Sequence, residues 1–432
     1  MEENLHKDAN RRALDPAMLL SNSLRPAPLD IPFGQVETPA FVVDLRLLKD
    51  NLTYLKELKE RLNIKILLAQ KAYSLYKTYP LIGSYLDGTT SSGLYEARLG
   101  AEEMAGKEVH VFSPAYKESD IDQLLGMANH LIFNSFSQWV RHRDKIMDYK
   151  ARTGQSVHCG LRINPNVSVT DHDMYNPAAP GSRLGLTLEA FREGVERYGL
   201  DGIDGLHFHT LCEDNSDALA KTWENIRTQF DPWLRDMAWI NMGGGHHLTR
   251  DDYNLSILAD VIEDAHSRYP KAQLYLAPGE AVVLNTGFFV SQVEDLVHNS
   301  LDIAVLDASA TCHMPDVLEV PYQPKVFVLK TKAPEKRFEA IAASECPDGP
   351  PENCPFLYRL GGTSCLAGDV IGDYYFSEKL DIGDRLVFLD MALYTMVKTN
   401  TFNGIPLPAI YLMDRDGHLE KMKIFSYEDF KS

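Results

Sequence analysis

The run Ile64-Lys65-Ile66-Leu67-Leu68-Ala69-Gln70, closed by Lys71, decides how this chain is read. It is short, largely apolar and free of glycine and proline, which is the pattern of a strand buried on both faces. A strand over Ala40–Leu45 and a helix over residues 46–62 are expected before it. Seven further strands are expected downstream, over Thr89–Gly93, Glu108–Ser113, His130–Asn134, Val157–Ile163, Ile203–His209, Trp239–Met242 and Gln273–Ala277. Amphipathic helical stretches separate them, the alternation of a parallel βα fold, and eight such strands close a TIM barrel.

Beyond residue 285 the helical period fades. Strand-like segments follow at Phe288–Val293, Ile303–Leu306, Lys325–Leu329, Phe338–Ala342, Arg385–Leu389 and Ile410–Asp414. The expected organisation is therefore an N-terminal extension over 1–37, a (β/α)8 barrel over 38–285 and a C-terminal β-rich domain, a barrel or sandwich, over 286–432. The strand at 38–45 is open to assignment with the second domain. A length of 432 residues suits two such domains.

With 44% hydrophobic and 24% charged residues, the composition is that of an ordinary globular protein. No long uncharged apolar run suggests a membrane span, and the polar N-terminus does not read as a secretory signal, so a cytoplasmic protein is expected. The six scattered cysteines include no Cys-x-x-Cys pair and read as reduced thiols. A formal charge of −18 argues against nucleic acid as a partner and mildly favours a cationic small molecule.

Function in such barrels sits at the C-terminal strand ends. Lys71 follows the first barrel strand, where desolvation would lower its pKa and suit it to Schiff-base chemistry; a snorkelling strand terminus is the simpler alternative. The sixth strand ends in Gly205-Leu206-His207-Phe208-His209, with Cys212 and Glu213 just beyond. Two histidines two apart share one side of a strand; they can pack, bind zinc, or let His209 stack on an aromatic cofactor. Gly243-Gly244-Gly245 ends the seventh strand and Pro278-Gly279 follows the eighth, the places where TIM barrels build phosphate sites, although a glycine turn can also be mere flexibility. Amine, platform and anion cradle together are what pyridoxal phosphate needs.

From about residue 38 onward the chain resembles the alanine-racemase-like and ornithine/diaminopimelate-decarboxylase-like enzymes. Three strings, Leu306–Glu319, Ala179–Gly185 and Tyr358–Val370, resemble those of the carboxynorspermidine (carboxyspermidine) decarboxylases. The resemblance implies pyridoxal 5'-phosphate as cofactor, carried by Lys71 and stacked on His209, with the phosphate held by Gly243, Gly244, Gly245 and Tyr394. It places Arg162 and Cys212 near the cofactor, Cys365 as a catalytic group contributed across a head-to-tail homodimer, and Glu280, Asp369 and Arg183 toward substrate. No metal is implied. Cys212 stands where diaminopimelate decarboxylases carry a phosphate-holding serine. Ala277 stands where the family pattern has the glutamate that pairs with the pyridine nitrogen, leaving Glu280 or Glu96 as substitutes. The implied reaction is decarboxylation of carboxynorspermidine or carboxyspermidine to norspermidine or spermidine. Its rivals are a diaminopimelate or related basic amino-acid decarboxylase, a zinc hydrolase using His207, His209 and His246 or His247, and a catalytically weakened binding protein.

Overall fold

A computed structural model describes residues 31–169, 176–333 and 336–431. The described chain divides into two compact units, one over Asp50–Val282, the other formed by the segment ending at Lys49 together with everything from Val283. The first 30 residues of the expected extension lie outside the described residues. The end of the expected extension packs into the second unit. Ile31, Phe33 and Val36 are buried, and the Phe33 ring meets Phe288 edge-on at 5.4 Å. Three apolar side chains here gain more by leaving water than a loose tail would retain.

Strand β1 (Ala40–Asp44) runs into an 18-residue helix, Leu45–Leu62. The first unit is the expected barrel. Its strands are β2 (Lys65–Ala69), β3 (Gly88–Ser91), β4 (Glu108–Phe112), β5 (His130–Phe133), β6 (His158–Arg162), β7 (Gly205–His207), β8 (Trp239–Asn241) and β9 (Gln273–Leu276). Each pairs in parallel with the next, and β9 returns to β2 through Lys65 opposite Tyr275, closing the ring. Side-chain caps start the helices between them. Ser135 accepts from Gln138 N–H, Thr187 from Ala190 N–H, and Asn254 from the N–H groups of Ser256 and Ile257.

The barrel interior is filled by a few large groups set against small ones. A Cβ at Gly160 would lie 2.3 Å from the Trp239 ring, and one at Gly205 would lie 2.1 Å from it, so two neighbouring strands give up side chains to admit one indole. Near the strand starts the fill is polar: the rings of His110 and His130 stack at 3.8 Å, and the Trp239 ring meets His130 edge-on at 5.1 Å. Glu108 receives His110 Nε2 at 2.9 Å and also contacts Lys65. Burial pushes the Glu108 carboxyl up, yet the hydrogen bonds from His110 and Lys65 bring it to about 2.

The second unit is a ten-stranded sheet: β1 with β10 (Gly287–Asn299), β11 (Leu301–Leu306), β12 (Val326–Leu329), β13 (Arg337–Ala342), β14 (Phe356–Gly361), β15 (Val370–Phe376), β16 (Arg385–Leu389), β17 (Ala409–Met413) and β18 (Leu419–Lys423). The pairing of β11 with both β10 and β14 closes seven of these strands into a ring. Phe289, Leu306, Tyr374 and Phe376 lie in its core. Strand β1 belongs to this sheet, antiparallel to β10 and parallel to β17.

Trp239→Ala should cost about 3–5 kcal/mol, because the two glycines cannot close the void. Urea denaturation followed by far-UV circular dichroism checks this; a loss below about 1 kcal/mol would show that the indole is not a packing element.

Candidate active site

Lys71 sits in the turn after β2, with Ala72 N–H bonded back to Ala69 C=O at 3.1 Å. The residue is exposed to solvent, yet desolvation by surrounding protein lowers its pKa, as does the Arg162 charge, against the opposing pulls of Glu96 and Glu280. A group both reachable and depressed stands in a recess. The loop after β9 seals one side of this turn: a Cβ at Gly279 would meet Ala72 Cβ at 2.6 Å, and Pro278 C=O takes the Ala69 N–H.

His209, just past β7, is fixed at ring and backbone. Gly244 N–H donates to its Nδ1 at 2.9 Å, and Arg162 Nη2 donates to its carbonyl at 3.1 Å. Accepting at Nδ1 assigns the ring proton to Nε2. Burial, then the Lys71 and Arg162 charges, hold this imidazole well below the ordinary histidine value, so it is a neutral plate. Arg162 itself is buried, with its guanidinium 4.6 Å from the Phe112 ring centroid. Burial and the nearby Arg183 draw it down to about 9.

The glycine loop threads between its neighbours. Gly243 and Gly245 have φ of +78° and +83°, and Cβ atoms there would lie 2.5 Å from Phe208 O and 2.1 Å from Leu211 O. At Gly244 the clash would be with Ala277 O, at 2.2 Å. Asn241 Oδ1 takes the Gly243 N–H at 2.8 Å. The N–H groups of Gly245 and Glu280 make no hydrogen bond among the described residues. Unspent backbone donors on two adjoining loops suit an anion.

Cys212 donates its N–H to Asp214, and burial pushes its thiol up to about 12, so it is neutral. Glu96 starts the helix Leu94–Glu103 and accepts the Ser92 N–H at 2.5 Å; burial raises its pKa while Lys71 opposes this. Ala277 is buried and supplies no acid. Glu280 lies with its carboxylate 3.3 Å from His247 Nε2. Arg183 is exposed, its carbonyl held by Asn134.

The second unit holds the remaining expected residues. Cys365 is an exposed free thiol whose N–H donates to Asn403 Oδ1 at 2.7 Å. Asp369 is buried and organises this loop, accepting from Ser309 Oγ, Ser364 N–H and Thr311 N–H at 2.9, 3.0 and 3.2 Å. Tyr394 has a positive φ of +42°.

Potential metal-holding groups among the described residues are Glu108–His110–His130, Glu213–His247–Glu280 and Asp414–Asp416–His418. Among the described residues neither His207 nor His209 joins such a group, whereas His247 does. Sequence reading missed Asn241, Phe112 and the His247–Glu280 contact. An asparagine at a strand end carries no local signal, and the other two become neighbours only when the barrel closes.

A family model described as the pyridoxal-dependent decarboxylase C-terminal sheet domain matches residues 40–392. The chain belongs to the pyridoxal-dependent decarboxylase family. It is 40% identical over 400 residues to the carboxyaminopropylagmatine decarboxylase of Synechocystis sp., covering 92% of this chain and 96% of that one. It is 38% identical to the carboxynorspermidine/carboxyspermidine decarboxylase of Campylobacter jejuni, covering 92% and 98%. A crystal structure of carboxynorspermidine decarboxylase from Campylobacter jejuni, complexed with norspermidine, superposes with a TM-score of 0.78 at 36% identity, over 91% of this chain and 99% of that one. Family membership makes the protein a decarboxylase with pyridoxal phosphate as cofactor, and the site fits that cofactor: a recessed amine, a neutral imidazole plate and unspent backbone donors.

Because the Arg162 charge helps to depress Lys71, Arg162→Met should raise the Lys71 pKa. Apoenzyme should then combine with pyridoxal at a higher pH than wild type, seen as a displaced midpoint in an absorbance titration; an unmoved midpoint would show that burial alone sets the value.

Proposed function

We propose that this enzyme decarboxylates carboxynorspermidine or carboxyspermidine, releasing norspermidine or spermidine, in the cytoplasm. The observation that carries the reading is the likeness along nearly the whole chain to the Campylobacter jejuni enzyme, whose crystal structure holds norspermidine. Glu280 near Lys71, with Glu213 clustered beside Glu280, suits a cationic substrate, as does a chain net charge of −18.

Lys71 would hold the cofactor, His209 would face its ring, and the loops bearing Gly243, Gly244, Gly245 and Glu280 would receive its phosphate, with Tyr394 as a further phosphate ligand. Bound pyridoxal phosphate supplies an electron sink for the charge left on carbon as carbon dioxide departs. The protein's part is to favour the unprotonated form of Lys71 Nζ and a neutral His209 ring, and then to return one proton to carbon, either from Lys71 Nζ after it has taken the proton given up by the incoming substrate ammonium or from Cys365 Sγ. Arg183 would sit at the substrate entrance, and Asp369 would keep the Cys365 loop in shape. We assign Cys365 to a neighbouring subunit's site in a two-fold homodimer.

A second reading is favoured by the 40% identity to the Synechocystis enzyme: a substrate ending in the guanidinium of agmatine. The test measures carbon dioxide release from carboxynorspermidine, carboxyspermidine, carboxyaminopropylagmatine and diaminopimelate. One of the first two should exceed the others in kcat/KM by at least about tenfold, a discrimination of about 1.4 kcal/mol. Preference for the agmatine derivative would replace the reading, and absence of turnover on all four would favour a binding protein weakened at Ala277.

The shared site has its own test. Mixing inactive Lys71→Ala with inactive Cys365→Ala under subunit exchange should restore up to about a quarter of wild-type activity. No recovery despite proven exchange would place both residues in one chain's site.

A further inference from the structure

Three loops come together beside Lys71, following β7, β8 and β9, and they are laced at several points. Asp214 N–H donates to Gly245 C=O at 2.9 Å, Ala277 N–H to Gly243 C=O at 2.7 Å, and Thr249 Oγ1 to Ala281 C=O at 2.7 Å. Those links do not change with pH. One residue touches all three loops and can change charge. His247 lies on the loop after β8, two residues past Gly245. Its N–H donates to Asp214 C=O, on the loop after β7, at 3.3 Å. Its ring Nε2 lies 3.3 Å from the Glu280 carboxylate, on the loop after β9. Glu213, held at φ +59°, brings a second carboxylate into the same cluster, within 4.8 Å.

We propose that His247, as an imidazolium clamped by Glu280 and Glu213, is a positioning residue that locks the phosphate-holding loops and makes cofactor retention depend on pH. The proposal rests on the assignment of those loops to the cofactor phosphate.

The electrostatics favour the charged form. Burial of the ring opposes protonation, and Arg250 opposes it from the same loop, but the Glu280 contact and the Glu213 charge outweigh both and raise the pKa above the ordinary histidine value. Nε2 and Glu280 are close without an aligned hydrogen bond, so the link is mainly Coulombic. It needs the proton: a neutral ring beside two carboxylates leaves like charges facing each other. The sign follows. A group whose folded pKa is raised stabilises the folded arrangement below that pKa, and the stabilisation is lost as pH rises through it. Loosening this junction moves Gly245 and Glu280, whose N–H groups are the unspent donors.

The experiment titrates apoenzyme with pyridoxal phosphate and, separately, with pyridoxal, from mildly acidic to alkaline pH, following quenching of tryptophan fluorescence. Wild type should lose affinity for pyridoxal phosphate as pH rises through the His247 titration, by roughly tenfold, the equivalent of one pKa unit of coupling. Pyridoxal, lacking the phosphate, should show little of this fall. His247→Gln should bind pyridoxal phosphate about tenfold more weakly at acidic pH and lack the step. Glu280→Gln, which keeps the imidazole, should move the step to lower pH. If both variants keep the wild-type step, His247 is not the switch, while the phosphate assignment stands. If wild type does not prefer pyridoxal phosphate to pyridoxal, the loops do not hold the phosphate, and both the assignment and the inference fall.

Discussion

The chemistry proposed for the barrel unit turns on making a lysine amine easier to deprotonate while water still reaches it. An exposed lysine stays protonated near neutral pH and cannot act as a nucleophile. Lys71 is shifted toward the neutral form because its recess removes solvation from the ammonium and a buried arginine adds repulsion, while the carboxylates of Glu96 and Glu280 pull the other way. The same burial and the same Arg162 charge keep His209 neutral. Two neighbouring groups are thereby both drawn toward their neutral forms.

That electrostatic state is a product of barrel closure. Lys71, Arg162, His209 and Gly243 lie on the loops or ends of four strands, and only the ring brings them together. Its closure depends on fillers such as Trp239, admitted by Gly160 and Gly205. The three glycines after β8 give up Cβ atoms to pass between the loops after β7 and β9, and this leaves backbone donors without protein partners.

Much of this was legible in the amino-acid sequence because strand period and strand-end chemistry are local. All eight barrel strands fall where their apolar runs predict, and Lys71, His209 and Gly243–Gly245 were singled out as strand-end candidates whose roles position alone left open. In the second unit the charged strand β18 escaped notice, as did β14 and β15. Their residues, Phe356–Gly361 and Val370–Phe376, carry interior charge and glycine, and β14 overlaps the string Tyr358–Val370 that was read for function. Arg162 as the charge that sets its neighbours, and His247 against Glu280, were not legible, since both depend on long-range contacts. The sequence placed Asp369 toward substrate through a family string, but gave no sign that its carboxylate also takes three donors from its own surroundings.

The most direct measurement of the central claim, that Lys71 is the reactive amine of the cofactor site, is borohydride reduction of the purified, cofactor-loaded enzyme followed by peptide mass mapping. The account predicts the reduced cofactor mass on the peptide containing Lys71, and no labelled peptide in Lys71→Ala. Label on any other lysine, or undiminished label in the variant, would contradict it.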